Sequence, residues 1–129
     1  MFVEAEWWRP LDSMTAEHDA AISQWFDFVS RHHRTLFAEW AGVEHYRQRD
    51  RDGRPTGRWL MLFAYHDHAG FLAYKARRKD WSGPYAAYKA IDPYRTFDQT
   101  SVTTRWWKPV REMHWPRRSE AKDQPSATR

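Results

Sequence analysis

The run at 58–66, RWLMLFAYH, limits the fold more than any other part of the chain. Read as a strand, it is apolar on both sides. Leu60, Leu62 and Ala64 point one way, and Trp59, Met61, Phe63 and Tyr65 point the other, because successive strand side chains alternate faces. An antiparallel sheet with one wet face carries polar residues on that face, so a sheet built on this strand needs cover on both. The smaller aliphatic row suits packing under helices. That assignment leaves the bulky row on the face without helices, and burying it is worth roughly 1.5–3 kcal/mol per large side chain.

The rest of the chain supplies the partners of this strand. Residues 2–9 alternate with a period of two and stop at Pro10. Asp12 or Ser13 offers an N-cap for a long helix to about residue 37, with Ile22, Trp25, Phe26, Val29, His33 and Leu36 on its apolar stripe. Residues 40–49 read as a second strand with Gly42 a candidate bulge, and DRDGRPTG at 50–57 as a hairpin connection. After the third strand, Asp67 caps a helix over 68–79, and Ser82-Gly83-Pro84 breaks it before a short helical continuation to about residue 91. A last strand covers about 100–108. The order is βαββαβ, which predicts an α+β, ferredoxin-like fold: a four-stranded antiparallel sheet with its helices on one face. The length of 129 residues suits one domain, read here as 1–115, and the apolar-poor stretch 116–129 is expected to be a disordered tail.

Something must then cover the second sheet face. A second copy of the chain, packed about a two-fold axis, is the simplest solution, and the expectation is a homodimer. The alternative is a lid made by Met113, His114 and Trp115 folding back. Aromatic residues are 17% of the chain and include nine tryptophans, more large rings than one small core takes, so some should line a ligand cavity or an interface.

The pattern resembles the dimeric α+β barrel superfamily, which includes antibiotic-biosynthesis monooxygenases, haem-degrading monooxygenases, muconolactone-isomerase-like proteins and the stress-responsive A/B barrels. The resemblance spans residues 2–108 and is carried by GRPTGRWLMLFAYHD, the interrupted second helix and SVTTRWW. The segment DWSGPYAAYKAIDPYRTF departs from the short uninterrupted second helix of the simplest members. The resemblance implies a dimeric barrel and a small-molecule enzyme: a cofactor-independent oxygenase, isomerase or cyclase acting on an aromatic or polyketide-like substrate.

Alternation places Trp59, Met61, Phe63 and Tyr65 on one face with Glu4, Glu6 and Trp8 of the first strand, and the last strand is read as adding Arg105 and Trp107. A carboxylate in an aromatic pocket has its pKa raised by desolvation and can act as a general base. Glu6 or His66 is the candidate proton acceptor, with Tyr65 and Arg105 polarising the substrate. Glu4 and Glu6 at a wet strand end, or salt-linked to Arg105 across a dimer, is the competing structural role. His33, on the helix stripe, reads as a core histidine or a pocket residue, and His45 joins the candidate lining from the second strand. The polar-tipped aromatics Tyr74, Trp81, Tyr85, Tyr88 and Tyr94 either line the pocket mouth or cover the core where the helix breaks.

Other classes are weighed on the same residues. His66-Asp67-His68 lacks a third convergent ligand, so no metal is expected. Haem binding or degradation, with His33 or His66 as axial ligand, is the alternative cofactor reading, and a non-catalytic ligand-binding module is the third. The third strand lacks the small residues of the RNA-recognition pattern K/R-G-F/Y-G/A-F-V-x-F/Y, so no nucleic acid is expected despite a net charge of +4. The absence of cysteine excludes disulfides and thiol nucleophiles. With no apolar run of membrane-spanning length and no signal-like start, the expectation is a cytoplasmic protein without a membrane partner.

Overall fold

A computed structural model describes residues 1–118. Its elements run β1 (Phe2–Trp8), α1 (Thr15–Leu36), β2 (Trp40–Arg49), β3 (Pro55–Tyr65), α2 (His68–Arg77), α3 (Tyr85–Ile91) and β4 (Thr103–Trp107), with short 3-10 turns before α1 and between α3 and β4. The four strands form one antiparallel sheet in the order β2-β3-β1-β4. The expected tail at 116–129 falls mostly outside the described residues.

Local chemistry explains most boundaries. Asp67 caps α2, its Oδ1 accepting from the Gly70 N–H at 2.7 Å. The β2–β3 turn closes on Asp50, whose Oδ1 accepts from the N–H groups of Asp52 and Arg54, while Gly53 supplies the left-handed backbone the turn requires, at φ 84°. The register of β2 slips between Trp40 and Gly42, a bulge at the expected place. Neither Asp12 nor Ser13 caps α1. Residues 12–14 form a 3-10 turn, and the helix begins after Met14 without a side-chain cap.

The two rows of β3 are as expected, but their faces are exchanged. Directly opposed strand residues share a face, and the register pairs Glu4 with Phe63, Glu6 with Met61 and Trp8 with Trp59. This row, with Tyr65, lies beneath the helices: Trp8, Met61 and Tyr65 are buried in one core with Trp25, Phe28 and Tyr74. The bulky row is what spans the gap, because the helical layer stands off the sheet far enough to leave a cavity. The smaller row, Val3, Ala5, Trp7, Leu60 and Leu62, lines the face without helices.

The same register corrects β4. Ala5 pairs with Arg105 and Val3 with Trp107, so both lie on the open face, whereas Thr104 and Trp106 share the helix side with Glu6 and Glu4. Phasing of β4 is set by its lead-in, a 3-10 turn at Gln99–Ser101 anchored where Arg9 N–H donates to Ser101 Oγ at 2.8 Å. The C-terminal segment is no lid. Met113 and Trp115 are exposed.

Candidate functional site

Between the sheet and α2–α3 lies a cavity of about 340 Å³. Its sheet side presents Glu4, Glu6, Phe63, Tyr65, Thr104 and Trp106, and its helical side Tyr74 and Lys75 of α2, Arg78 at the C-cap of α2 and Tyr88 of α3; Trp40 and Tyr94 complete the lining. The helical period puts Tyr74, Lys75 and Arg78 on one face of α2. Strand alternation sets Glu4 and Glu6 side by side beneath them.

Each carboxylate has its own donors. Lys75 Nζ donates to Glu4 Oε1 at 3.4 Å and Trp106 Nε1 to Glu4 Oε2 at 3.0 Å. The Tyr94 hydroxyl donates to Glu6 Oε1 at 2.8 Å and the Thr104 hydroxyl to Oε2 at 3.3 Å. A carboxylate offers about four lone-pair sites, so Glu6 keeps capacity to accept a proton. Burial pushes the Glu6 carboxyl above its usual range; the Tyr94 hydrogen bond pulls it partly back, and the Glu4 charge pushes it further up. Lys75 is pulled below the usual lysine range by burial, against the charge of Glu4. Burial also raises Tyr65, Tyr88 and Tyr94, with Glu4 acting on Tyr65 and Glu6 on Tyr94. All three phenols therefore stay protonated near neutral pH.

Among the described residues, Trp40 Nε1, Tyr65 Oη and Arg78 Nε are buried polar atoms without a hydrogen-bond partner, and all three residues line this cavity. Buried polar groups are nearly always paired. Three unpaired ones around one hollow leave it with polar groups that the surrounding protein does not satisfy.

The structure brings together Glu4, Glu6, Phe63, Tyr65, Tyr74, Tyr88 and Tyr94 of the residues singled out by sequence, and places the others elsewhere. Trp8, His45 and Trp59 form a neighbouring packed cluster with His18, in which Trp8 Nε1 donates to the buried His18 Nε2 at 3.0 Å and His45 stacks on both indoles. Burial holds His18 and His45 below the usual histidine range. Met61 is in the core. His33 is exposed rather than a core histidine, its Nε2 3.2 Å from the Trp40 carbonyl oxygen. His66 is exposed at the start of α2 and lines no part of the cavity. Arg105 and Trp107 lie across the sheet. Tyr85 is a structural clamp, donating to the Leu36 carbonyl and accepting from Arg77. Trp81 walls a separate cavity with Tyr88 and Tyr94.

Trp40, Lys75, Arg78, Thr104 and Trp106 were not foreseen as site residues. The spacing of Tyr74, Lys75 and Arg78 was a usable signal; that of Thr104 and Trp106 depended on the register of β4.

A larger hollow of about 790 Å³ lies on the open face. Its charged side chains are Arg58 and Lys108, with no carboxylate or histidine, so it has no side chain suited to accept a proton near neutral pH. The smaller cavity is the one that sets carboxylates opposite basic side chains. It is lined by no histidine that would serve haem iron. Among the described residues no cluster of three or more His, Asp or Glu is arranged to hold a metal ion, and no helix is long and apolar enough to cross a membrane.

Neither a protein-family profile nor a curated protein sequence matches the chain. Solved structures do. A dimeric ferredoxin-like protein from an uncultured marine organism has a TM-score of 0.53 at 16% identity, covering 87% of this chain and 97% of that one. An antibiotic biosynthesis monooxygenase has a TM-score of 0.54 at 11% identity, covering 86% and 100%. A NIPSNAP family protein from Agrobacterium tumefaciens has a TM-score of 0.57 at 11% identity, covering 84% and 92%. At these identities the likeness establishes the fold: ferredoxin-like α+β, the fold of the superfamily the sequence resembles.

Proposed function

We propose that the protein is an enzyme that binds a small aromatic or polyketide-like molecule in the cavity between sheet and helices and removes a proton from it. The observation that carries this reading is the arrangement of Glu6 within one aromatic hollow: a carboxylate raised by burial, beside a second carboxylate and facing Lys75 and Arg78. A general base works best when its pKa lies near the operating pH, and burial moves Glu6 in that direction.

In this mechanism an enolisable carbonyl compound or a phenol lies against Phe63 and Tyr74. Glu6 takes the acidic proton from carbon or oxygen. Negative charge then gathers on the ligand oxygen, where Arg78 and the Tyr65 hydroxyl are free to donate and Lys75 adds positive charge. Donors fixed before the charge develops stabilise it most, because nothing has to reorganise. The carbanion is the common intermediate: reprotonated at another carbon it gives isomerisation, attacking an internal carbonyl it gives cyclisation, and passing electrons to O₂ it gives oxygenation. The antibiotic biosynthesis monooxygenase among the similar folds agrees with this range.

The open apolar face supports self-pairing as part of the same reading. Trp7, Leu60, Leu62 and Trp107 line it together, and a second copy laid over it gives these side chains the burial that a lone sheet withholds.

The test does not require the natural substrate. With 1-phenyl-1,3-butanedione in D₂O, exchange of the methylene protons between the carbonyls is followed by NMR. Catalytic amounts of wild-type protein should accelerate exchange, and Glu6→Gln should lose at least about 100-fold of that acceleration, the usual contribution of a positioned general base. Equal exchange by wild type and Glu6→Gln would reject Glu6 as the base. Binding without any exchange would favour a non-catalytic ligand-binding module.

A further inference from the structure

The end of α2 carries two consecutive arginines in opposite circumstances. Arg77 commits its donors to Glu39, the Leu36 carbonyl and the Tyr85 hydroxyl. Arg78 lines the Glu6 cavity, has no ion pair among the described residues, and keeps its buried Nε without a hydrogen-bond partner. Its charge rests on aromatic rings, 5.2 Å from the Tyr74 centroid and 4.6 Å from that of Trp81. A ring face balances charge but offers no oxygen lone pair to an N–H. The carboxylates of the cavity are engaged by other groups: Lys75 and Trp106 donate to Glu4, and Tyr94 and Thr104 to Glu6.

Two more unmatched donors belong to the same wall, Trp40 Nε1 and Tyr65 Oη. The two rings meet edge to face with centroids 6.1 Å apart, and the Arg78 charge acts on the Tyr65 hydroxyl. An indole N–H and a guanidinium N–H donate only, and a phenol donates as readily as it accepts. The unmatched set therefore asks for acceptor atoms. A guanidinium alone carries more N–H donors than the lone pairs of one carbonyl oxygen accept, whereas a carboxylate offers about four lone-pair sites in the planar geometry that matches its fork. Charge agrees with this. A guanidinium withdrawn from water without a counter-charge is costly, and an anionic ligand removes that cost. One negative charge suits the hollow better than two, because Glu4 and Glu6 share it.

We propose that the substrate carries a carboxylate beside its enolisable carbonyl, and that Arg78 binds it, with the Trp40 indole and the Tyr65 hydroxyl as further donors. The class is that of 2,4-dioxo acids and related keto acids. The carboxylate and the adjacent keto oxygen lie on the fork of Arg78, and the acidic carbon beyond the keto group faces Glu6. The inference rests on the proposed function of this cavity and adds the anionic group of the substrate.

Titration calorimetry compares 4-phenyl-2,4-dioxobutanoate with its methyl ester, which keeps the diketone and loses the charge. Wild type should bind the acid at least about tenfold more tightly than the ester, the scale of a hydrogen bond to a charged group. Arg78→Gln should bring the two within about twofold of each other by weakening the acid, and its binding of the ester shows that it is folded. Arg78→Lys keeps the charge without the planar fork and should lose at least about threefold of the preference; it decides the matter if Arg78→Gln binds neither compound. Equal binding of acid and ester by wild type, a preference that a folded variant retains in full, or binding of 1-phenyl-1,3-butanedione but of neither dioxo compound overturns the carboxylate and leaves Glu6 in its role. If wild type binds none of the three, the proposed function fails as well.

Discussion

Tyr94 governs the proton affinity of Glu6 more directly than any other side chain. Its hydroxyl donates to Glu6 Oε1 at 2.8 Å and opposes the upward push of burial. A hydrogen bond to a carboxylate favours the ionised form, so removing it raises the Glu6 pKa further. In the proposed mechanism the base is the ionised carboxylate, and the acid limb of the pH–rate profile follows that pKa. In Tyr94→Phe the acid limb of diketone exchange is therefore expected to move to higher pH, with the alkaline plateau retained. A limb that stays in place or moves to lower pH would remove Tyr94 from this role. Residue-scale chemistry was partly legible in the sequence, since Glu4, Glu6, Phe63 and Tyr65 follow from alternation in β1 and β3. Lys75 and Arg78 were not picked out, because a basic residue on a helix reads as solvated until the element it faces is known.

At the scale of elements, a polar clamp joins α1, α2 and α3 in addition to their shared apolar core. Arg77 donates to both carboxylate oxygens of Glu39 and to the Leu36 carbonyl, and its Nε donates to Tyr85 Oη, which in turn donates to Leu36 O at 2.6 Å. The end of α1 is thus tied to α2 and α3 at once. Tyr85→Phe removes a buried hydrogen bond and should lower unfolding free energy by about 1 kcal/mol, measured by urea denaturation; no change would mean that Arg77 alone carries the clamp. Strand and helix positions were readable from period, caps and turn residues such as Asp67 and Asp50. The face beneath the helices was not readable, because β3 is apolar on both sides and alternation separates two rows without saying which is covered. Arg105 was misassigned for a related reason. Period two orders residues within β4, but its register against β1 is set by the 3-10 turn at Gln99–Ser101, whose bond to Arg9 is a long-range contact.

For the whole molecule, the sheet separates two surfaces of different chemistry. One holds the polar cavity under the helices, and the other is an apolar face suited to a second copy. Sedimentation equilibrium should report a dimer for wild type, and Leu62→Lys, which places a charge at the centre of the open face, should shift it to monomer. A wild-type protein that remains monomeric at all concentrations would contradict self-pairing but leave the cavity untouched. The central claim is that ligand chemistry occurs between the sheet and the helices, and a crystal structure of the complex with 1-phenyl-1,3-butanedione tests it most directly. The account predicts the diketone beneath α2, its carbonyl oxygens within hydrogen-bond reach of Arg78 or Tyr65 and the carbon between them facing Glu6. A diketone lodged on the Leu60–Leu62 face, or between two sheets with the Glu6 cavity empty, would contradict it.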